Sequence, residues 1–190
     1  MKFTEYCFYL NETLTKIDQQ EINKFIELIV KAYEEERMIF IIGNGGSAAN
    51  ASHFAQDLAK GTRNHLDQIK RIKALSLTDS IPFITALGND DGYAYIFEQQ
   101  LRTYAKPNDV LIAISGSGNS PNIIKAIEWA NSIGITTIGI SGFNGGKLKE
   151  LVKYSLHIPL DDMCTSESIH SIVLHYVVIE LQKKIKNMEP

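Results

Sequence analysis

The sequence predicts an α/β domain, a parallel sheet covered by helices on both faces. Three observations carry this. Short strand-like apolar segments occur at residues 38–42, where the run is continuous, at 72–77, 110–114 and 135–140, and more weakly at 154–158. Helical apolar patterns lie between them, and the runs are apolar on both faces, as strands buried on two sides require. A chain of 190 residues can bury one sizeable core. No linker, low-complexity tract or internal repeat divides it, so residues 1–190 are expected to form one domain. Within it, residues 1–36 form N-terminal helices and residues 37–187 the α/β core.

The elements follow in order. From about residue 5 to 36, Leu10, Leu14, Ile17, Ile22, Phe25, Ile26, Ile29 and Val30 recur at helical spacing, with a break near Asp18. This predicts two helices that prop the core or pair with another subunit. The run 38–42 ends at Gly43 and gives way to a helical pattern through Ala48, Ala49, Phe54 and Leu58, a strand, glycine turn and helix. The strand 110–114 runs into Ser115-Gly-Ser-Gly-Asn-Ser120, and Pro121 stands at the first turn of the next helix, where its missing N–H costs nothing. A long helix over 169–185 closes the domain. Loops at the C-terminal ends of such strands are where a ligand is expected.

Composition bounds the function. Hydrophobic residues at 44% and charged residues at 22% are ordinary for a globular protein. A net charge of -3 provides no broad basic field, and Lys60, Arg63, Lys70, Arg71 and Lys73 are expected to form a solvated face, so no nucleic-acid partner is expected. Cys7 and Cys164 suit neither a disulfide framework nor a zinc knuckle, which points to a reducing, cytoplasmic setting. The first ten residues carry Glu5 and lack the apolar core of a signal peptide, and no run approaches the ~20 residues of a membrane span. No membrane partner is expected.

The serine loop points to phosphate. A helix N-terminus attracts anions, Ser115, Ser117 and Ser120 add hydroxyl donors, and Gly116 and Gly118 allow close backbone approach. The loop holds no lysine and lacks the GxxxxGK[ST] pattern of a nucleoside-triphosphate site, so a phosphorylated small molecule fits better. Gly43-Asn-Gly45-Gly46-Ser47-Ala48 fits the dinucleotide fingerprint GxGxxA. That reading needs an acid at the end of the second strand, but Asp67 precedes the strand and Asp79 lies beyond it. No nucleotide cofactor is expected.

His53 and Asp57, four apart on one helix face, suit a divalent metal, a proton-transfer pair or an ordinary surface hydrogen bond. The last helix offers Glu167, His170 and His175. Eight helical steps set Glu167 and His175 about 12 Å and roughly 80° apart, so one ion takes both only if Glu167 lies at a frayed helix start or a neighbouring subunit contributes. Asn89-Asp90-Asp91-Gly92 reads either as a plain turn or as acceptors for sugar hydroxyls.

Taken together, GNGGSAANASHFAQDL, ALGNDDGY, ISGSGNSPNIIKAI and ESIHSIVLH resemble the sugar isomerase (SIS) domain and, more narrowly, the phosphoheptose isomerases, which convert sedoheptulose 7-phosphate to D-glycero-D-manno-heptose 7-phosphate. The resemblance implies a flavodoxin-like three-layer sandwich with a central five-stranded parallel sheet and an N-terminal helical extension. It implies that Asn44, Gly45, Gly46, Ser47, Asn89, Asp90 and Glu167 meet the sugar and that Ser115, Gly116, Ser117 and Ser120 hold its phosphate. It further implies zinc held by His53, Asp57, Glu167 and His175, catalysis by Asp57, Glu167 and His175 through an enediol, and a homotetramer. Two positions depart from the family pattern: aspartate replaces glutamate at Asp57, and glutamate replaces glutamine at Glu167. Two alternatives stand beside an enzyme of this kind: a non-catalytic SIS module that binds a phosphosugar or a replication-initiator protein, and an isomerase of another sugar phosphate. The acid retained at Asp57 favours an enzyme.

Overall fold

The computed structural model describes residues 1–188. Five strands, β1 (Met38–Gly43), β2 (Lys73–Ser76), β3 (Val110–Ser115), β4 (Thr136–Ser141) and β5 (Tyr154–His157), form one sheet in the order β2-β1-β3-β4-β5. All four pairings are parallel, with Gly43 beside Ile114 and Ser115 beside Ser141. The chain passes from β1 to β2 on one side and returns to β3 on the other. The crevice beyond the C-terminal ends of β1 and β3 is therefore the switch point at which open sheets bind ligands.

Alternation along the strands builds two cores. Ile39, Ile41, Val110, Ile112, Ile114, Ile138 and Ile140 face the layer of α2 (Gln19–Glu34), α3 (Gly46–Gln56) and α8 (Met163–Met188). Phe40, Ile42, Leu111 and Ala113 face α5 (Ile96–Tyr104), α6 (Pro121–Ser132) and α7 (Gly146–Leu151). The five-stranded, three-layer architecture expected from the sequence is present.

Asp18 breaks the N-terminal region as expected, its carboxylate accepting from the Gln20 N–H at 2.7 Å to cap α2. The two N-terminal helices differ. Helix α2 buries Ile22, Phe25, Ile26, Ile29, Ala32 and Tyr33, whereas α1 (Phe3–Leu14) buries only Thr13 and leaves Phe3 and Phe8 largely exposed. Helix α4 (Ile81–Asp90) buries none of its residues.

Two boundaries differ from those the apolar runs suggest. Strand β2 omits Ile72 and Leu77, both buried, although the Leu77 N–H still donates to the Ile41 carbonyl of β1 at 3.0 Å. Helix α8 begins at Met163, six residues before the apolar pattern appears, because the Asp162 carboxylate accepts from the Cys164 N–H and the Thr165 hydroxyl and caps a polar first turn. Glu167 thus lies within a regular helix and not at a frayed end. One feature leaves no apolar signature: α3 widens into a π turn over Asp57–Gly61, which changes the helical ladder at Asp57 itself.

Candidate active site

Strand β3 delivers the serine loop to the switch point, and α6 leaves from it. Pro121 occupies the first turn of α6, and Ser120 is the N-cap residue, its side chain making no capping hydrogen bond. Gly118 adopts φ +67°, and its N–H donates to the Ser115 carbonyl (3.1 Å) and hydroxyl (3.2 Å). The loop is braced from outside. The Gly142 N–H donates to the Gly116 carbonyl at 2.9 Å, and the Leu148 N–H to the Gly118 carbonyl at 2.9 Å. A Cβ on Gly118 would collide with the Gly145 carbonyl and one on Gly116 with the Met163 sulfur. Gly118 is required by this close backbone approach and by its positive φ, whereas the Met163 side chain could yield at Gly116.

The glycine turn after β1 faces this loop. A Cβ on Gly43 would strike the Ser47 backbone, and Gly45 takes φ +54° to start α3. Asn44, Gly45, Ser47, Ile114, Ser115, Gly116, Ser117, Ser120, Met163 and Glu167 enclose a cavity of about 250 Å³. Glu167 reaches it from α8, half-buried, its carboxylate lying against Gly46. A loop of hydroxyl and backbone N–H donors at one end and a carboxylate at the other suit a small phosphate ester with transferable protons.

A second cluster lies further along α3 and α8. His53 Nε2 stands 3.4 Å and His175 Nε2 3.7 Å from Asp57 Oδ2, and the two imidazoles meet edge to face with centroids 4.9 Å apart. The donor atoms of the three residues lie within 4.8 Å of one another. Ligands of a tetrahedral zinc ion at ordinary bond lengths are about 3.3 Å apart, so two imidazoles and a carboxylate at these separations fit such an ion with a position left open. Glu167 lies outside this group within one chain. Asn50 links the two regions: its Nδ2 donates to the Glu167 carbonyl at 3.0 Å, and it lines the small cavity at His53, Asp57 and His175 as well as a surface hollow beside Gly46 and Glu167.

Asn89 and Asp90 end α4, exposed, and line no part of the serine-loop cavity; the Asn89 Nδ2 donates to the Asp90 carboxylate at 2.8 Å. Sequence reasoning did not single out Asn50, Asn122 or Tyr93. Each is a polar residue whose partner lies far away in the chain.

His170, the rival histidine of α8, is fully buried among core residues, and neither ring nitrogen has a hydrogen-bond partner among the described residues. Burial lowers its pKa from 6.5 to about 4, against a weak opposing effect of the Ser141 backbone. Below pH 6.5 the unfolded chain takes up a proton that the folded chain refuses, so stability falls as pH drops toward 4. For this group the loss reaches about 3 kcal/mol, at about 1.4 kcal/mol per pH unit. Urea unfolding at pH 7, 6 and 5 is expected to show this slope, and His170→Leu to flatten it.

Comparison with known proteins gives this arrangement a class. The sequence model of the SIS domain family matches residues 3–142. A phosphoheptose isomerase of Helicobacter pylori (strain Shi470) is 36% identical over 169 residues, covering 89% of this chain and 86% of that protein. One from Clostridium acetobutylicum is 37% identical over 166 residues, covering 87% and 83%. The structure of a phosphoheptose isomerase from Neisseria gonorrhoeae superposes with a TM-score of 0.86 at 28% identity, covering 95% of each chain. The fold is therefore that of an SIS-domain protein. Within that class, the chain belongs to the phosphoheptose isomerase family.

Proposed function

We propose that the protein isomerises sedoheptulose 7-phosphate to D-glycero-D-manno-heptose 7-phosphate. One observation carries the reading: a phosphate cradle and a carboxylate–imidazole cluster stand along one edge of the sheet, bridged by Asn50 and Glu167, in a chain of this family. The serine loop holds the phosphate, and Asn44 to Ser47 meet the chain of the sugar, with Asn89 and Asp90 joining them if α4 closes over the groove. The open-chain ketose then extends toward Asp57 and His175.

A carboxylate takes a proton from C1 and leaves the enediol; a proton returns to C2 while the C1 hydroxyl gives up its own, so the C2 carbonyl becomes a hydroxyl and C1 an aldehyde. Asp57 or Glu167 would act as the base, and His175 would shuttle the hydroxyl proton. His53, Asp57 and His175 would hold zinc, completed by Glu167 or a neighbouring subunit. When bound, the ion supplies Lewis-acid polarisation of the carbonyl. Titration is expected to show one zinc per chain, with affinity at least about tenfold weaker in His175→Ala, since loss of even an outer-shell partner of a metal ligand costs 10- to 100-fold.

Homotetramer formation is part of this proposal. The exposed apolar residues Phe3 and Phe8 of α1, Ile81 of α4, and Ile172, Tyr176 and Ile179 of α8 support it, as uncovered faces of this kind mark association. Among the described residues no helix is long and apolar enough to cross a membrane. With two unpaired cysteines, this supports a cytoplasmic location. The decisive test is NMR observation of the aldose product from sedoheptulose 7-phosphate, with and without zinc. Intact phosphosugar binding without turnover would replace the enzyme by a binding module.

A further inference from the structure

Asn44 and Asn122 lie 78 positions apart and form a reciprocal carboxamide pair. The Asn44 Nδ2 donates to Asn122 Oδ1 at 2.9 Å, and the Asn122 Nδ2 donates to Asn44 Oδ1 at 2.8 Å. Asn122 belongs to the first turn of α6 and is 1% exposed. Its polarity is set by the backbone, because the Ile123 N–H donates to Asn122 Oδ1 at 3.0 Å. That oxygen faces the Asn44 Nδ2. The Asn44 carboxamide therefore has one orientation.

Tyr93, carried by the turn after α4, completes the arrangement. Its hydroxyl donates to Asn44 Oδ1 at 2.9 Å. Both lone pairs of that oxygen are then used, by Asn122 and by Tyr93. What Asn44 retains is a single Nδ2 hydrogen, and Asn44 lines the cavity with Ser115, Ser117 and Ser120. A freely turning carboxamide would present its oxygen to an anion as readily as its nitrogen, with repulsion in the first case. Held this way it can only donate, and the two bonds accepted by its oxygen polarise the remaining N–H.

We propose that Asn122 and Tyr93 are positioning residues that lock Asn44 as an obligate donor to a phosphoryl oxygen of the ligand, making the glycine turn the second wall of the phosphate cradle. The proposal rests on and deepens the isomerase reading by moving Asn44 from the chain of the sugar to its phosphate, yet it concerns phosphate monoesters in general. The lock makes the cradle selective for groups that carry lone pairs and no hydrogen.

Calorimetric titration of the purified full chain with inorganic phosphate tests it independently of turnover. Asn122→Ser keeps a hydroxyl that can accept from the Ile123 N–H but cannot form the two-bond pair. The exposed Tyr93→Phe removes one acceptor contact of Asn44 and leaves the fold undisturbed. Phosphate affinity is expected to fall about tenfold in Asn122→Ser and about threefold in Tyr93→Phe, less than the full loss of a hydrogen bond to a charged group because both variants loosen the Asn44 donor and leave it in place. KM for the sugar phosphate should rise in parallel while kcat stays within about twofold. The Tyr93→Phe result stands alone if Asn122→Ser does not fold. Unchanged phosphate affinity in Tyr93→Phe, or a lower kcat with phosphate affinity retained, overturns the proposal. A wild-type protein that binds phosphate in this manner yet turns over no heptulose phosphate refutes the isomerase reading and leaves the lock standing.

Discussion

Asp57→Asn is expected to lower kcat for sedoheptulose 7-phosphate about 1,000-fold while phosphate binding persists. The amide keeps the size of the carboxylate and removes both its basicity and its charge. General acid–base groups contribute 100- to 10,000-fold, and Asp57 stands between the imidazoles of His53 and His175, so its loss also disorganises the metal donors. Relative to the glutamate of the family pattern, Asp57 is one methylene shorter, and misplacement by about 1 Å can cost about 100-fold in rate. The π turn beginning at Asp57 and the carboxylate at Glu167 set how this chain presents its acids. The double variant Asp57→Glu with Glu167→Gln is accordingly expected to retain turnover, whereas Glu167→Gln alone loses it in part. Steady-state kinetics of the three variants, with circular dichroism for folding, would check this. Unaltered kcat in Asp57→Asn would remove it from the reaction.

Ser117→Ala combined with Ser120→Ala is expected to raise KM about 100-fold with little change in kcat. Each hydroxyl contributes a hydrogen bond to a charged group, worth roughly 1.5–3 kcal/mol, or tenfold or more in affinity. The Ser120 side chain makes no cap, so its removal costs α6 little. Ser117 Oγ accepts only a 3.3 Å bond from the Asn119 N–H. Both hydroxyls remain available to a ligand. A loss of thermal stability without a change in KM would assign these serines to the loop's own structure.

How much of this was legible follows from where each signal lies. Strands β1 and β3 announce themselves because both faces are buried, so their apolar runs are unbroken, whereas Thr136 and Thr137 interrupt the run of β4. The start of α8 is silent because Cys164, Thr165, Ser166, Glu167 and Ser168 precede its apolar stripe, and only the Asp162 cap marks it. The serine and glycine turns are readable from local composition, since small residues at strand ends have few other uses. Glu167 is the instructive residue. Resemblance groups it with the metal donors, while within one chain the helix carries it to the cavity of the serine loop. Asn122 carries no local signal at all, because its meaning comes from Asn44 on another crossover.

The bracing of the serine loop by Gly142 and Leu148 has a practical corollary. Residues 115–121 grafted onto another strand–helix crossover would carry their hydroxyls along and lose their aim, because the carbonyls of Gly116 and Gly118 are tethered by amides from the following crossover. The smallest transplantable anion receptor in this molecule is two adjacent crossovers, and a designer borrowing it must take both.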